Sequence, residues 1–304
     1  MQLKGIWSDR PAYNKLIIIT GIAVASFSIL SLVSMILMKF IFNLDVISNP
    51  QILTDLSSPH TVEALKFLQL FNALGLFVLP PFIYAYLASN NIGKTLGVYN
   101  RPKLLQLLLA GLSMFIALPL INWLAEINSS MHLPKIFSGM EAWMKQSEES
   151  AAKITSLFLK VDSISGLIYN LLLIAFLPAF GEELLFRGTL QPLLKEQTGN
   201  KVAGIVLAAV IFSALHMQFY GFLPRMMMGV YFGFLFVWTQ SLWVPVFAHL
   251  VNNGTAVIVS YLYGNTSDLE TAGSTEGGLI YLVGSIIGLV AIIFWFHKNK
   301  TNIS

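Results

Sequence analysis

Apolar residues fall along this chain in long unbroken runs, with polar residues gathered in short clusters between them. A helix needs about 20 apolar residues to cross a hydrocarbon layer, where no water is present to satisfy an open backbone. Eight runs qualify, at about 16–42, 65–88, 104–124, 164–190, 202–218, 221–239, 243–263 and 278–297. The pattern predicts an all-α, polytopic transmembrane helical bundle of about eight spans. Pro80 and Pro81 cannot donate helical hydrogen bonds and are expected to kink the second span. Pro119, Pro178 and Pro245 raise the same expectation elsewhere. The first run is too long for a signal-peptide core and lacks a small-residue cleavage site, so it reads as a retained span. No internal repeat and no linker divides the sequence, which predicts a single integral membrane domain over 1–304.

Loop charges orient these spans, because Lys and Arg are retained on the cytoplasmic side. Lys4, Arg10 and Lys15 precede the first span, and Lys94, Arg101 and Lys103 separate the second from the third. Lys195 and Lys201 flank the fourth-to-fifth connection, and Lys298 and Lys300 follow the last span. The alternate connections are acidic: Asp45, Asp55 and Glu63, then Glu126, Glu141, Glu148, Glu149 and Asp162, then Asp268, Glu270 and Glu276. Lys135, Lys145, Lys153 and Lys160 also fall outside, in the longest loop, where the rule is weakest. Eight spans with both termini cytoplasmic satisfy the whole pattern. Within the extracytoplasmic loop 125–163, residues 139–160 set Met140, Trp143, Met144, Ile154, Leu157 and Phe158 among charges, which predicts an amphipathic interfacial helix.

Composition agrees with lipid as the solvent. Of the 304 residues, 56% are hydrophobic and 11% charged, with a mean hydropathy of +0.71. A soluble domain carries about a quarter charged residues. The net charge is +3 and the basic residues are scattered, which excludes a nucleic-acid footprint. Cysteine is absent, so disulfides and thiolate metal sites are excluded, and His, Glu and Asp are the remaining metal ligands.

Ionisable groups inside a membrane are costly, and each one is a functional candidate. Glu182, Glu183 and Arg187 stand late in the fourth span, His216 ends the fifth after Phe212, and His249 and Asn253 stand in the seventh. Glu183 and Arg187 are four residues apart on one helical face, the spacing of an ion pair. Glu182 then points roughly 100° away. His249 and Asn253 share a face by the same rule. Measured along the helices from their basic ends, Glu182 and His216 lie at a similar depth of about 20 Å. One carboxylate and two imidazoles from three helices are therefore able to converge. Water activation suits such a set: the carboxylate takes a proton, an imidazole shuttles it, and His249 or Asn253 donates to an oxyanion.

Blander roles stand beside these. Histidine and asparagine also bridge transmembrane helices, and Asn252 fits that role best. Arg225 is expected to snorkel to the outer interface, and the Met226–Met228 run to pack against lipid. His60, His132 and His297 fall in loops or the tail and carry no assignment.

At these residues the sequence resembles the CAAX protease and bacteriocin-processing family of intramembrane proteases. The family pattern is EExxxR, then FxxxH, then HxxxN or HxxxD, each on its own span. Here it stands as Glu182-Glu183…Arg187, Phe212…His216 and His249…Asn253, in order and without departure. The match covers about 164–263, the catalytic core spans. The resemblance implies an endopeptidase in which Glu182 activates water with His216 as partner. It implies that His249 and Asn253 stabilise the oxyanion, with Glu183, Arg187 and Phe212 in support. It further implies a peptide or protein substrate, lipidated or otherwise membrane-associated, met in the bilayer of a bacterial plasma membrane. It leaves open whether the mechanism is metal-free, with no cofactor required, or uses a divalent metal such as zinc. In the second case Glu182, His216 and His249 are the ligands; no HExxH helix is present. Two other functions use the same residues: a proton-coupled membrane carrier with Glu and His as the relay, and a non-catalytic scaffold or chaperone. The missing internal repeat speaks against the carrier.

Overall fold

The computed structural model describes residues 4–264 and 278–301, and these are helical with no strand among them. Asp268, Glu270 and Glu276, assigned above to an outer connection, lie outside the described residues. Among the described residues nine helices carry the architecture: α1 Ala12–Ile41, α2 Pro59–Ala88, α3 Leu104–Ser129, α4 Ser138–Leu159, α5 Ile164–Thr198, α6 Lys201–Leu215, α7 Phe222–Thr239, α8 Trp243–Tyr263 and α9 Leu279–Lys298. Each of the eight apolar runs has become a helix, and the amphipathic stretch has become α4.

Six of these helices are long and apolar enough to cross a membrane: α1, α2, α3, α5, α7 with the turn before it, and α9. The chain is therefore a multi-pass integral membrane protein. The two apolar runs that fall short carry the candidate imidazoles, whereas α5, with Glu182, Glu183 and Arg187, qualifies. α6 has 15 residues and ends just before His216, and the apolar run of α8 is broken by His249, Asn252, Asn253 and Thr255. Polar side chains lower the apolarity that a lipid-facing span needs, and here they turn inward instead.

Hydrogen bonds divide the connections between two ends of the bundle. At one end Gly5 and Trp7 donate to the carbonyls of Tyr86 and Leu87, Leu242 to Gly97, and Thr301 to Trp238, while Lys15 lies 3.4 Å from Glu196. At the other, Asn128 binds Phe219 and Leu223, Tyr220 binds Glu148 of α4, and Asn170 binds Phe158 and Lys66. The basic connections gather at the first end and the acidic ones at the second.

Prolines act on the spans in a way that periodicity does not foretell. A proline inside a helix lacks its N–H, and its ring crowds the carbonyl four residues back. In α2 and α5 the chain answers with a π-helical turn two residues before the proline. Leu74–Val78 precedes Pro80 and Pro81, Leu171–Phe176 precedes Pro178, and Phe186–Leu190 precedes Pro192. The crowded carbonyls at Leu76, Phe77, Ile174 and Gly188 all fall inside these wider turns. Pro119 is carried within α3 without one, and Pro245 sits in the first turn of α8, where no helical donor is needed.

Two short connections set the site. Gly199 takes a left-handed conformation (φ 65°) that closes α5, and Asn200 Oδ1 accepts from the N–H groups of Val202 and Ala203 to start α6. α5 and α6 must therefore lie antiparallel and close. A Cβ on Gly204 would come within 2.7 Å of the Lys195 nitrogen. The hairpin sets Glu182, Glu183 and Arg187 beside Phe212 and His216. α7 and α8, joined through Gln240 (φ 54°), close over the same face.

Candidate active site

Glu183 and Arg187 form the buried centre of the site. Arg187 Nη1 donates to Glu183 Oε1 at 2.8 Å, with the two side chains 1% and 0% exposed. Arg187 Nη2 donates to the Gly229 carbonyl at 2.9 Å. One turn on, Gln191 Nε2 donates to the Gly233 carbonyl at 3.2 Å. A side chain of α5 thus reaches the α7 backbone twice, at a spacing of four on each helix. Glycine permits the approach. A Cβ on Gly229 would lie 2.9 Å from the Ala209 Cβ, and one on Gly233 would lie 2.7 Å from Gln191 Oε1 and from Ile205. Close helix approach through small residues is the usual device in membranes, where burial of apolar surface drives little. Gly233→Leu is accordingly expected to destabilise the protein in detergent by on the order of 1–3 kcal/mol through overpacking. Thermal unfolding of the purified variant checks this, and a variant that melts with the wild type would refute the close contact.

The guanidinium is also enclosed by rings. Its Cζ lies 4.9 Å from the Phe212 centroid and 5.5 Å from that of Phe232. Phe212 packs edge-on against both candidate imidazoles, with centroids 4.9 Å from His216 and 6.2 Å from His249. Phe232 stacks on His249 at 5.3 Å. These aromatic walls fix the imidazole planes and keep the ion pair dry.

His249 joins the two carboxylates. Its Nδ1 is 3.0 Å from Glu183 Oε1, and its Nε2 is 3.8 Å from Glu182 Oε2. Glu183 is already the acceptor for Arg187, so the Nδ1 proton of His249 points to the same oxygen. That commitment fixes the ring, and Nε2 faces Glu182. Glu183 Oε2 is buried with no hydrogen-bond partner among the described residues. Glu182 is also buried, yet no hydrogen bond from the described residues holds it; its charged contact is the 3.8 Å approach of His249. The adjacent carboxylates are thus differently placed: Glu183 is tied into the scaffold, and Glu182 is not.

His216 follows the last residue of α6, and its Nδ1 is 2.8 Å from the Phe212 carbonyl. Donation there leaves Nε2 open. Met217 follows in a left-handed conformation (φ 53°), which turns the chain away from the helix axis directly after the imidazole. Asn253 stands one turn beyond His249 on α8. Its Oδ1 accepts from Asn252 at 3.1 Å, and its own amide N–H groups have no partner among the described residues. Asn252 therefore orients Asn253, in addition to any bridging role.

The fold brings Glu182, Glu183, Arg187, Phe212, His216 and His249 into one cluster. It does not put His216 or Asn253 in direct contact with Glu182. Among the described residues no three His, Asp or Glu side chains are gathered to hold a metal ion, so Glu182, His216 and His249 as arranged do not make a ligand set. Several residues of the site escaped the sequence pattern: Gly229, Phe232, Gly233 and Gln191. Arg225 is half-buried, and its Nη2 donates to Gln218 Oε1 at 2.7 Å in the connection between α6 and α7. Of the Met226–Met228 run, only Met227 is exposed; Met228 packs on the core around Phe232.

Comparison with known proteins relates this site to a family. Residues 164–255 match the family model described as type II CAAX prenyl endopeptidase Rce1-like. Two Bacillus subtilis (strain 168) proteins are similar in part. "Putative membrane peptidase YdiL" is 38% identical over 78 residues, which is 26% of this chain and 32% of that protein. "Uncharacterized protein YpbD" is 32% identical over 88 residues, 28% of this chain and 42% of the relative. The chain thus spans less than half the length of either. No solved structure matches it. The three motifs all fall inside the matched segment, and over residues 164–255 the chain is similar to the type II CAAX prenyl endopeptidases of the Rce1-like family.

Proposed function

We propose that the protein is an intramembrane endopeptidase that hydrolyses a peptide bond of a membrane-associated or lipidated peptide, with Glu182 as general base. One observation carries the reading. Glu182 is a buried carboxylate without a hydrogen bond among the described residues, facing His249 Nε2, beside a twin whose Oε1 is held by both Arg187 and His249. A carboxylate with no structural partner is costly to keep in a membrane, and reaction chemistry is a reason to keep it.

In the proposed reaction Glu182 takes a proton from water as the water oxygen bonds to the scissile carbonyl carbon. The carbonyl π pair moves to its oxygen, which becomes an oxyanion. Asn253 donates an amide N–H to it, and His249 donates from Nε2 when that atom carries a proton. As the tetrahedral adduct collapses, the C–N bond breaks and the nitrogen receives the proton from Glu182, passed through an intervening water and His216 Nε2. Phe212 keeps His216 and His249 in register through its two edge contacts. The spans are proposed to place both termini in the cytoplasm, in a bacterial plasma membrane, following the basic connections at one end of the bundle.

The test is cleavage of a quenched, lipidated peptide library by the detergent-purified protein, with and without chelator. Wild-type cleavage is expected to be indifferent to chelator. His216→Ala is expected to slow it by on the order of 10²-fold, the scale of a lost proton shuttle. Loss with chelator and recovery with zinc would move Glu182, His216 and His249 into the role of ligands. Absence of cleavage, with substrate accumulation in proteoliposomes, would replace the peptidase by the carrier.

A further inference from the structure

Arg225 stands in the first turns of α7, half-buried, close to the connection that follows His216. Its Nη2 donates to Gln218 Oε1 at 2.7 Å and its Nη1 to the Gln218 carbonyl at 3.3 Å. Gly221 leaves room for the guanidinium, since a Cβ there would come within 3.0 Å of Nη2. Both acceptors are neutral. Among the described residues no carboxylate lies within ion-pair distance of Arg225.

The turn that Arg225 touches does not need a positive charge to hold it. Asn128 donates to the Phe219 carbonyl at 2.8 Å and accepts from the Leu223 nitrogen at 2.6 Å. Ser213 donates to the Phe222 carbonyl at 2.7 Å, and Glu148 accepts from the Tyr220 nitrogen at 3.3 Å. Neutral donors would serve Gln218 equally well. A partly desolvated cation costs more than they do. Arg225 lies one turn before Gly229, whose carbonyl receives Arg187, and its acceptor Gln218 lies two residues after His216. Arg225 therefore stands at the edge of the site, a cation with no carboxylate in ion-pair contact among the described residues.

We propose that Arg225, presented by Gln218, receives a carboxylate of the bound peptide beside Glu182. A guanidinium offers five N–H donors in a plane, and a carboxylate accepts two of them side by side. Gln218 engages one N–H on each terminal nitrogen, and the remaining three are left for the ligand. Two sources supply the same chemistry: the carboxylate at the chain end of the peptide, and an Asp or Glu side chain near the scissile bond. The inference rests on Glu182 facing the bound peptide, but carboxylate binding does not require turnover.

The experiment uses the full-length Glu182→Gln protein in detergent, immobilised and offered three matched pools of randomised lipidated peptides. One pool ends in a free acid, one in a carboxamide, and one in a carboxamide with a fixed internal Glu; retained peptide is counted by mass spectrometry. At least one carboxylate-bearing pool is expected to be retained about tenfold over the neutral pool, the scale of one charge-assisted hydrogen-bond pair. The enriched pool identifies the source. Adding Arg225→Gln is expected to abolish the preference, and Arg225→Lys to keep part of it. Should Arg225→Gln not remain folded, Gln218→Ala carries the same test, because it leaves the charge and removes its positioning; the preference must fall. Equal retention of all three pools, or a preference that survives these substitutions, overturns the subsite. Failure of the peptidase reading looks different: a wild type that retains carboxylate pools and cleaves nothing keeps the subsite and loses the peptidase.

Discussion

Glu182→Gln is expected to lower peptide turnover by on the order of 10²–10⁴-fold, the range for loss of a general base, while the protein stays folded and no less stable. The substitution keeps the shape of the side chain and removes its ability to take a proton. Stability is spared because Glu182 contributes little to the scaffold. It makes no hydrogen bond among the described residues, and its charged contact is His249 Nε2 at 3.8 Å. A buried carboxylate held so loosely is a cost to folding, which the neutral amide relieves. Glu183→Gln provides the contrast on the neighbouring residue. Its Oε1 receives both Arg187 at 2.8 Å and His249 at 3.0 Å, so loss of its charge disturbs fold and site together. Turnover and thermal unfolding measured on one preparation separate the cases. Undiminished turnover by Glu182→Gln would remove Glu182 as the base, and a marked loss of stability would make it a structural residue like its twin.

The helices were legible because lipid imposes a length, and the charged side chains were legible because lipid makes them costly. The four-residue spacing of Glu183 and Arg187 correctly anticipates their ion pair, which needs no tertiary information. What the two residues bind beyond each other was not legible. Gly229 and Gly233 are unremarkable in an apolar run, and their value appears only when α7 lies against α5 and their carbonyls receive Arg187 and Gln191. Phe232 is one of 22 phenylalanines, and nothing in its sequence neighbourhood marks the one that stacks on His249. Lys66 lies at the edge of a predicted span, yet it is buried and donates to Asn170 Oδ1 at 2.9 Å. The hold of Gln218 on Arg225, seven residues later, was likewise not legible, because it depends on how the connection between α6 and α7 turns. The π-helical turns before the prolines were not legible, because a one-residue widening inside a uniformly apolar run leaves no polar marker. Orientation across the membrane follows from charge alone, and the grouping of connections at two ends agrees with it without naming either end.

Arg187→Met is expected to be the most destabilising of these substitutions, by about 3–5 kcal/mol, the cost of leaving one partner of a buried ion pair behind. The arginine holds three elements at once: Glu183 on its own helix, the Gly229 carbonyl on α7, and the ring of Phe212 on α6. Without it, a wholly buried carboxylate keeps one hydrogen-bond partner, His249, and its second oxygen already lacks a hydrogen bond. The stranded charge, more than the lost contact, is the source of the damage. Glu183→Gln combined with Arg187→Met should therefore recover much of the stability, because removing both members of a buried pair is often neutral. Activity should not return with it. An amide at position 183 offers the His249 Nδ1 proton a neutral, weaker acceptor that can also rotate its NH2 toward the ring, so the hold that aims Nε2 at Glu182 is loosened. A cycle of the two single variants and the double, read by thermal unfolding and by peptide cleavage, checks both halves. A double variant as unstable as Arg187→Met would place the damage in lost packing against Phe212 and Phe232. One that regains activity would show that Glu183 serves the fold alone.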